Sequence, residues 1–392
     1  MSQIPSENKI ETTYELAKEQ YAALGIDTDQ AIKILSSVSI SLQCWQGDDV
    51  VGFEDPDAKL TGGIAATGNY PGKARNAEEL RADLDKVYSL LPGSHRLNLH
   101  AIYGENYGSK ISRNLLQPEQ FSAWVDWAKA GKHGLDFNPT VFSHPKTSSG
   151  FSLSSYDPAI RKFWVEHCIS SRKIGEYFGR NLGTPCITNI WIPDGYKDTP
   201  VDRKSPRELL KQSLDLILEE PIDPRFNLDA VEPKLFGIGS ESYVVGSHDF
   251  YLGYAVSKQI LLTLDSGHFH PTENIADKIS SVLTFLPALL LHVSRGVRWD
   301  SDHVVTLTDD LLAITQEVIR GGYLDRVHFG LDYFDASINR VAAWAIGARN
   351  LQRALLISLL EPINQLRKYE KAEDYSSRLL MLEETKGLPS SA

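Results

Sequence analysis

Leu261-Leu-Thr-Leu-Asp265-Ser-Gly-His268-Phe-His270 and Leu289-Leu-Leu-His292-Val-Ser-Arg-Gly-Val-Arg-Trp-Asp300-Ser-Asp302 decide how the chain is read. Each begins as a short apolar run of strand length and stops in carboxylates and imidazoles. A continuous apolar run suits a parallel strand buried on both faces, whereas an antiparallel strand with one wet face alternates. Polar groups just past the end of such a strand lie where α/β folds keep their chemistry.

The same rhythm extends in both directions. Strand-like runs are expected at 37–45, 96–102, 135–142, 186–192, 226–231, 259–264, 289–294 and 326–333, with a helical stretch after each. Asn76 with Glu79 reads as a helix start, and Leu80, Leu84, Val87 and Leu91 then share one face. Asp157-Pro158 opens another helix, and Ser205-Pro206 with Glu208 reads as a capping box with proline in the first turn. Thr308 caps the helix that begins at Asp309, and 272–286 is expected to be helical. Residues 46–75, rich in Gly, Asp and Pro, read as a long loop over one end of the fold. Strict βα alternation implies a parallel sheet, and eight units fit a closed (β/α)8 TIM barrel better than an open sheet. No GxGxxG or P-loop follows any strand. One barrel domain over 1–392 is expected, with helical extensions at 1–37 and 338–392.

Composition limits the partners. A net charge of −11 gives no electrostatic reason to approach nucleic acid or anionic lipid. No apolar run nears the roughly 18 residues that span a bilayer. Cys44, Cys168 and Cys186 are sparse and unpaired in pattern, and no signal-peptide pattern opens the chain; both point to a cytoplasmic protein.

Four successive strand ends then supply a constellation: Glu232 with Lys234, Asp265 with His268, His292 with Asp300 and Asp302, and Asp332. Singly, each has a plainer explanation. Asp265 before Ser-Gly suits a turn, Asp300 and Asp302 suit a helix cap, and His292 between apolar residues suits the core. Together, five carboxylates in one enclosed mouth would repel one another unless cations sat among them. Oxygen-rich donors with one imidazole per ion suit Mn²⁺, Co²⁺ or Mg²⁺ better than a thiolate zinc site.

Asn189-Ile-Trp-Ile-Pro-Asp-Gly195, Leu264-Asp-Ser-Gly-His-Phe-His-Pro-Thr-Glu273, Arg298-Trp-Asp-Ser-Asp-His303 and Gly330-Leu-Asp-Tyr-Phe-Asp-Ala-Ser-Ile-Asn-Arg340 resemble the metal-dependent sugar isomerases of the xylose isomerase-like barrels, and the L-rhamnose isomerases above all. The resemblance runs over essentially the whole chain. It implies two divalent ions per subunit, Mn²⁺ first, with Co²⁺, Zn²⁺ or Mg²⁺ as alternatives. It implies Glu232, Asp265, His292 and Asp332 as ligands of the ion that anchors substrate. His268, Asp300 and Asp302 would hold the second ion, with Asp265 shared. Lys234 is implied to contact sugar oxygen near C1, His100 to contact the sugar, and Trp191 to wall the pocket. Asp332, Lys234 and Asp302 are the implied catalytic groups. The expected activity is interconversion of L-rhamnose and L-rhamnulose by a metal-assisted 1,2-hydride shift, in a cytoplasmic homotetramer. An isomerase of another aldose is the alternative; a metal-dependent phosphodiesterase on the same barrel type is weaker, given the acidic charge.

Overall fold

The computed structural model describes residues 7–54, 68–106, 110–235, 242–297 and 300–390. Arg298 and Trp299 of the quoted motif and residues 55–67 of the long loop lie outside them. Eight parallel strands close into a barrel: β1 (Ile40–Gln43), β2 (Arg96–His100), β3 (Gly134–Asn138), β4 (Cys186–Ile190), β6 (Asn227–Val231), β8 (Leu261–Asp265), β9 (Leu289–Val293) and β10 (Val327–Leu331). Neighbours in the barrel are neighbours in sequence, and β10 returns to pair with β1, Ile40 opposite Phe329. Two further strands, β5 (Gly195–Tyr196) and β7 (Tyr243–Val244), make a small antiparallel pair.

β3, β4, β8 and β9 are buried along their whole length, as apolar runs covered on both faces must be. Period-2 alternation sends one set of side chains inward. Ile187, Ala230, Leu261 and Leu290 pack together there as a plug separate from the main core. Two or four residues further along the same strands, the inward set becomes Asn189, Glu232, Asp265 and His292. The apolar plug thus forms the floor beneath the acidic mouth.

The other faces of the strands meet a ring of helices: α3 (Ala77–Tyr88), α4 (Ser122–Gly131), α5 (Pro158–Leu182), α6 (Lys204–Ile217), α7 (His248–Lys258), α8 (Ala276–Leu283), α9 (Asp309–Gly321) and α10 (Arg340–Leu359). Helices α1 (Glu7–Ala23) and α2 (Thr28–Ser37) precede the barrel, while α11 (Ile363–Lys371) and α12 (Tyr375–Lys386) follow it. Within the C-terminal segment, α10 packs on α9, α3 and α2 and fills the eighth place in the ring. None of the described helices is long and apolar enough to cross a membrane.

Caps follow chemistry. Asn76, Asp157 and Thr308 each accept from a first-turn N–H, as their side chains predict. The capping box at Ser205 does not form. Asp202 takes the N–H groups of Lys204 and Ser205 instead, because its carboxylate reaches both one turn earlier. Glu208 pairs with Lys204 rather than turning back to Ser205. The segment 272–286 is helical only over α8, since Pro271 and the Asn274 turn hold its first residues.

Candidate metal centre

Main-chain bonds place the acids before any ligand arrives. Glu232 N donates to Ile190 O at 3.1 Å and Asp332 N to Val293 O at 3.0 Å, so both carboxylates stand one residue beyond their strands. Thr263 Oγ1 donates to Asn189 Oδ1 (2.8 Å), and Asn189 Nδ2 donates to Glu232 Oε2 (2.5 Å). That relay fixes one Glu232 oxygen and leaves the other facing His292.

His292 Nδ1 lies 3.2 Å from Glu232 Oε1, 3.1 Å from Asp332 Oδ2 and 3.8 Å from Asp265 Oδ2. Glu232, Asp265, His292 and Asp332 therefore present four ligand atoms mutually within 4.8 Å. Asp265, His268 and Asp300 form a second such group, joined to the first through Asp265. The His268 ring faces Pro233 O through Nδ1 at 2.8 Å. A carbonyl only accepts, so Nδ1–H donates to it, and Nε2 of the charged ring donates to Asp300 Oδ2, 3.2 Å away.

Two glycines make the crowding possible. A Cβ at Gly267 would stand 2.7 Å from Asp300 Oδ1 and 3.2 Å from Asp265 Oδ1. One at Gly330 would meet His292 Cδ2 at 3.0 Å, because His292 and Gly330 face each other across the β9–β10 ladder.

Asp302 stands apart from both compact groups, with its backbone in the left-handed region at φ 46°. Its carboxyl is held well above the usual range by burial and then by the charges of Asp300, Asp332 and Asp265. The chain between Arg295 and His303 is closed by reciprocal main-chain bonds, which carry Asp300 and Asp302 back over the mouth.

The charge balance is unfavourable as the residues stand. Burial, with the fields of Asp332, Glu232 and Asp300, lifts Asp265 to about 8. Burial would lower His268, but Asp265 and Asp300 carry it up to about 10. Burial also opposes charge on His292, yet Glu232 and Asp332 raise it well above its ordinary value. Among the described residues, protons held by the imidazoles are thus the counter-charge beyond Lys234, whose Nζ sits 2.7 Å from Asp300 Oδ2. One oxygen each of Asp300 and Asp332 is buried without a partner among the described residues. Divalent cations would take the place of those protons and of the missing partners. The donor set is five carboxylates, Asp302 included, and two imidazoles, which fits hard or borderline ions.

Beside the acids stands an aromatic wall. The Trp45 and His100 rings lie 4.2 Å apart, Phe142 meets Trp191 at 5.6 Å, and Phe334 meets Trp45 edge-on at 5.4 Å. Lys234 Nζ lies 5.1 Å over Trp191, so the lysine joins wall to acids. Trp45 Nε1, Trp191 Nε1 and His100 Nε2 are buried with no partner among the described residues. Burial, then the charge of His292, pushes His100 down to about 3, so its ring is neutral. Sequence reasoning named His100 and Trp191 but gave no site role to Trp45, Asn189 or Thr263. The signal available for Asn189 was an amide on an inward strand position, where only a buried polar partner justifies it.

The sequence profile of the L-rhamnose isomerase (RhaA) family matches residues 8–392. The L-rhamnose isomerase of Yersinia pseudotuberculosis serotype O:1b (strain IP 31758) is 60% identical over 382 residues, spanning 97% of this chain and 91% of that protein. That of Yersinia pestis (strain Pestoides F) is 59% identical over the same length. Among solved structures, an L-ribulose 3-epimerase shares the fold with a TM-score of 0.51 at 13% identity, covering 87% of this chain and 99% of that one. A family match along nearly the whole sequence and relatives of this identity lead to one conclusion: the chain belongs to the L-rhamnose isomerase family.

Proposed function

We propose that the protein interconverts L-rhamnose and L-rhamnulose by a 1,2-hydride shift, with two divalent ions at the barrel mouth, Mn²⁺ foremost. The observation that carries this reading is the pair of ligand groups sharing Asp265, set against a wall of aromatic rings. Glu232, Asp265, His292 and Asp332 would hold one ion, and Asp265, His268, Asp300 and Asp302 the other. Bound there, the ions supply Lewis acidity that polarises the sugar carbonyl and stabilises a developing alkoxide.

The chain's own groups do the rest. Aldose–ketose conversion moves a hydrogen between C1 and C2 and a proton between O1 and O2. Lys234, kept charged by Asp300 although burial opposes it, donates to sugar oxygen near C1. Asp332 Oδ1 has no partner among the described residues and is the acceptor we assign to the O1–O2 proton. His100 offers its free Nε2 to a sugar hydroxyl, and Trp191 packs against an apolar sugar face. Residues 1–392 act as one barrel domain with helical ends, assembled as a homotetramer. Three buried free cysteines favour the reducing cytoplasm.

The test is turnover of L-rhamnose by purified protein supplied with Mn²⁺, Co²⁺, Zn²⁺ or Mg²⁺, alongside a panel of other aldoses. Ketose formation that disappears with EDTA and returns with added metal is the expected result. Activity surviving chelation sinks the metal assignment, and a clear preference for another aldose moves the substrate while keeping the reaction.

A further inference from the structure

We propose that Thr140 is a positioning residue that fixes the proton of His100 on Nε2, so that the ring presents an N–H into the sugar pocket. This rests on the proposed role of His100 as a sugar contact. Nothing in the sequence marked Thr140; the backbone does. Thr140 is β-branched yet sits at φ 57°, in the left-handed region that such side chains rarely adopt. A strained residue at a pocket persists because its surroundings hold it there, and the strain points toward a task.

The surroundings are explicit. Thr140 N donates to Asn138 Oδ1 at 2.9 Å, closing the turn just after β3. The buried guanidinium of Arg113 donates to Thr140 O at 2.7 Å and to Phe142 O at 2.6 Å, with Glu54 as its counter-charge. Pinned in this way, Thr140 points its hydroxyl at the end of β2. Ala101 N donates to Thr140 Oγ1 at 3.0 Å, and His100 Nδ1 lies 3.2 Å from the same oxygen.

The hydroxyl has one hydrogen to give. Its two acceptors are His100 Nδ1 at 3.2 Å and Asn138 O at 3.4 Å. The proposed tautomer gives that hydrogen to Nδ1, the shorter of the two contacts. A neutral imidazole then carries its only N–H on Nε2, the atom with no protein partner. With the opposite tautomer, a lone pair would face the sugar, and a hydroxyl oxygen there would lose its donor.

The readout is the tautomer, measured without sugar. In ¹⁵N-histidine-labelled protein loaded with diamagnetic Mg²⁺, His100 is assigned by the signal lost in His100→Gln. The expected spectrum has Nε2 protonated and Nδ1 pyridine-like; a proton on Nδ1 overturns the proposal. Thr140→Val keeps the branched shape and removes the hydroxyl. It should mix the tautomers and lower kcat/KM for L-rhamnose about tenfold, the worth of one neutral hydrogen bond, chiefly through KM. Thr140→Ser should restore both. A Thr140→Val protein with wild-type KM and an unchanged His100 spectrum overturns the proposal as well. Should Thr140→Val not fold, the wild-type and Thr140→Ser spectra still decide. If the wild type turns over no aldose, the functional reading fails, while the same spectra still judge Thr140.

Discussion

At the N-terminal end of the barrel, Asp136 accepts four hydrogen bonds: two from Arg96, one from Ser41 Oγ and one from Ile187 N. At the C-terminal end, Asp265 accepts one from a main-chain N–H, that of Gly267. Both carboxylates are buried to a similar degree. Burial would raise Asp136, but Arg96 holds it below its ordinary value, whereas Asp265 climbs to about 8. Burial is common to both, so it does not distinguish a working acid from a structural one. A permanent cation does: Arg96 pairs with Asp136, and no arginine or lysine among the described residues pairs with Asp265. One end of the barrel is electrically complete within the chain, and the other is complete only with something added.

Four substitutions would break or sharpen that contrast. Asp265→Asn keeps the oxygen that accepts from Gly267 and removes the charge shared by both ligand groups. It should cost more than the roughly hundredfold lost with an outer-shell partner of a metal, with the urea midpoint of the chelated protein no lower than wild type. Metal titration by calorimetry checks the ligand role; a variant that binds and turns over normally would erase the distinction between the ends. Asp136→Ala should do the reverse. It strands Arg96 and costs about 3–5 kcal/mol in the unfolding midpoint, with kcat/KM per folded molecule unchanged.

Gly330→Ala is subtler. Its methyl would press on the His292 ring, and activity should fall about tenfold, as when support for a metal ligand is lost. Unchanged metal affinity would show that β10 tolerates the methyl without moving the ring.

Asp48 is the smallest test, an intermediate case at the rim of the mouth. Tyr103 and Gly52 donate to it, no cation among the described residues pairs with it, and burial lifts it from 3.8 to about 7. A group raised on folding contributes fully below about pH 4 and loses that contribution as pH climbs through about 7. The wild-type melting temperature should therefore drop between these limits, and the drop should flatten in Asp48→Asn. An equal slope in both proteins would mean that Asp48 stays charged when folded.

The barrel was legible because its strands are apolar on both faces and its helices carry caps, so period and punctuation agreed. Asn76, Asp157 and Thr308 are read correctly from a short window. Ser205 is not, because Asp202 outcompetes it from outside the pattern searched. Of the site, Glu232, Asp265, His268, His292, Asp300 and Asp332 lie together in two groups that share Asp265. Asp302 stands further off, since its place depends on a loop backbone that no periodicity encodes. Thr140 and Asn189 were hidden for a related reason. Their importance lies in what they touch across the barrel, and tertiary contacts leave no local mark.

The seam between β1 and β10 carries a temporal consequence. Gln46 and Asp335 exchange two hydrogen bonds across 289 positions of sequence, next to the Ile40–Phe329 pairing that closes the sheet. Such contacts bear a large loop-closure entropy and are made late. During synthesis the N-terminal strands leave the ribosome first. Asp332 emerges after the last strand, so a nascent chain holds only part of the proposed ligand set until the barrel can shut. With the proposed ligand set, an ion acquired earlier would be held by fewer groups and released more readily.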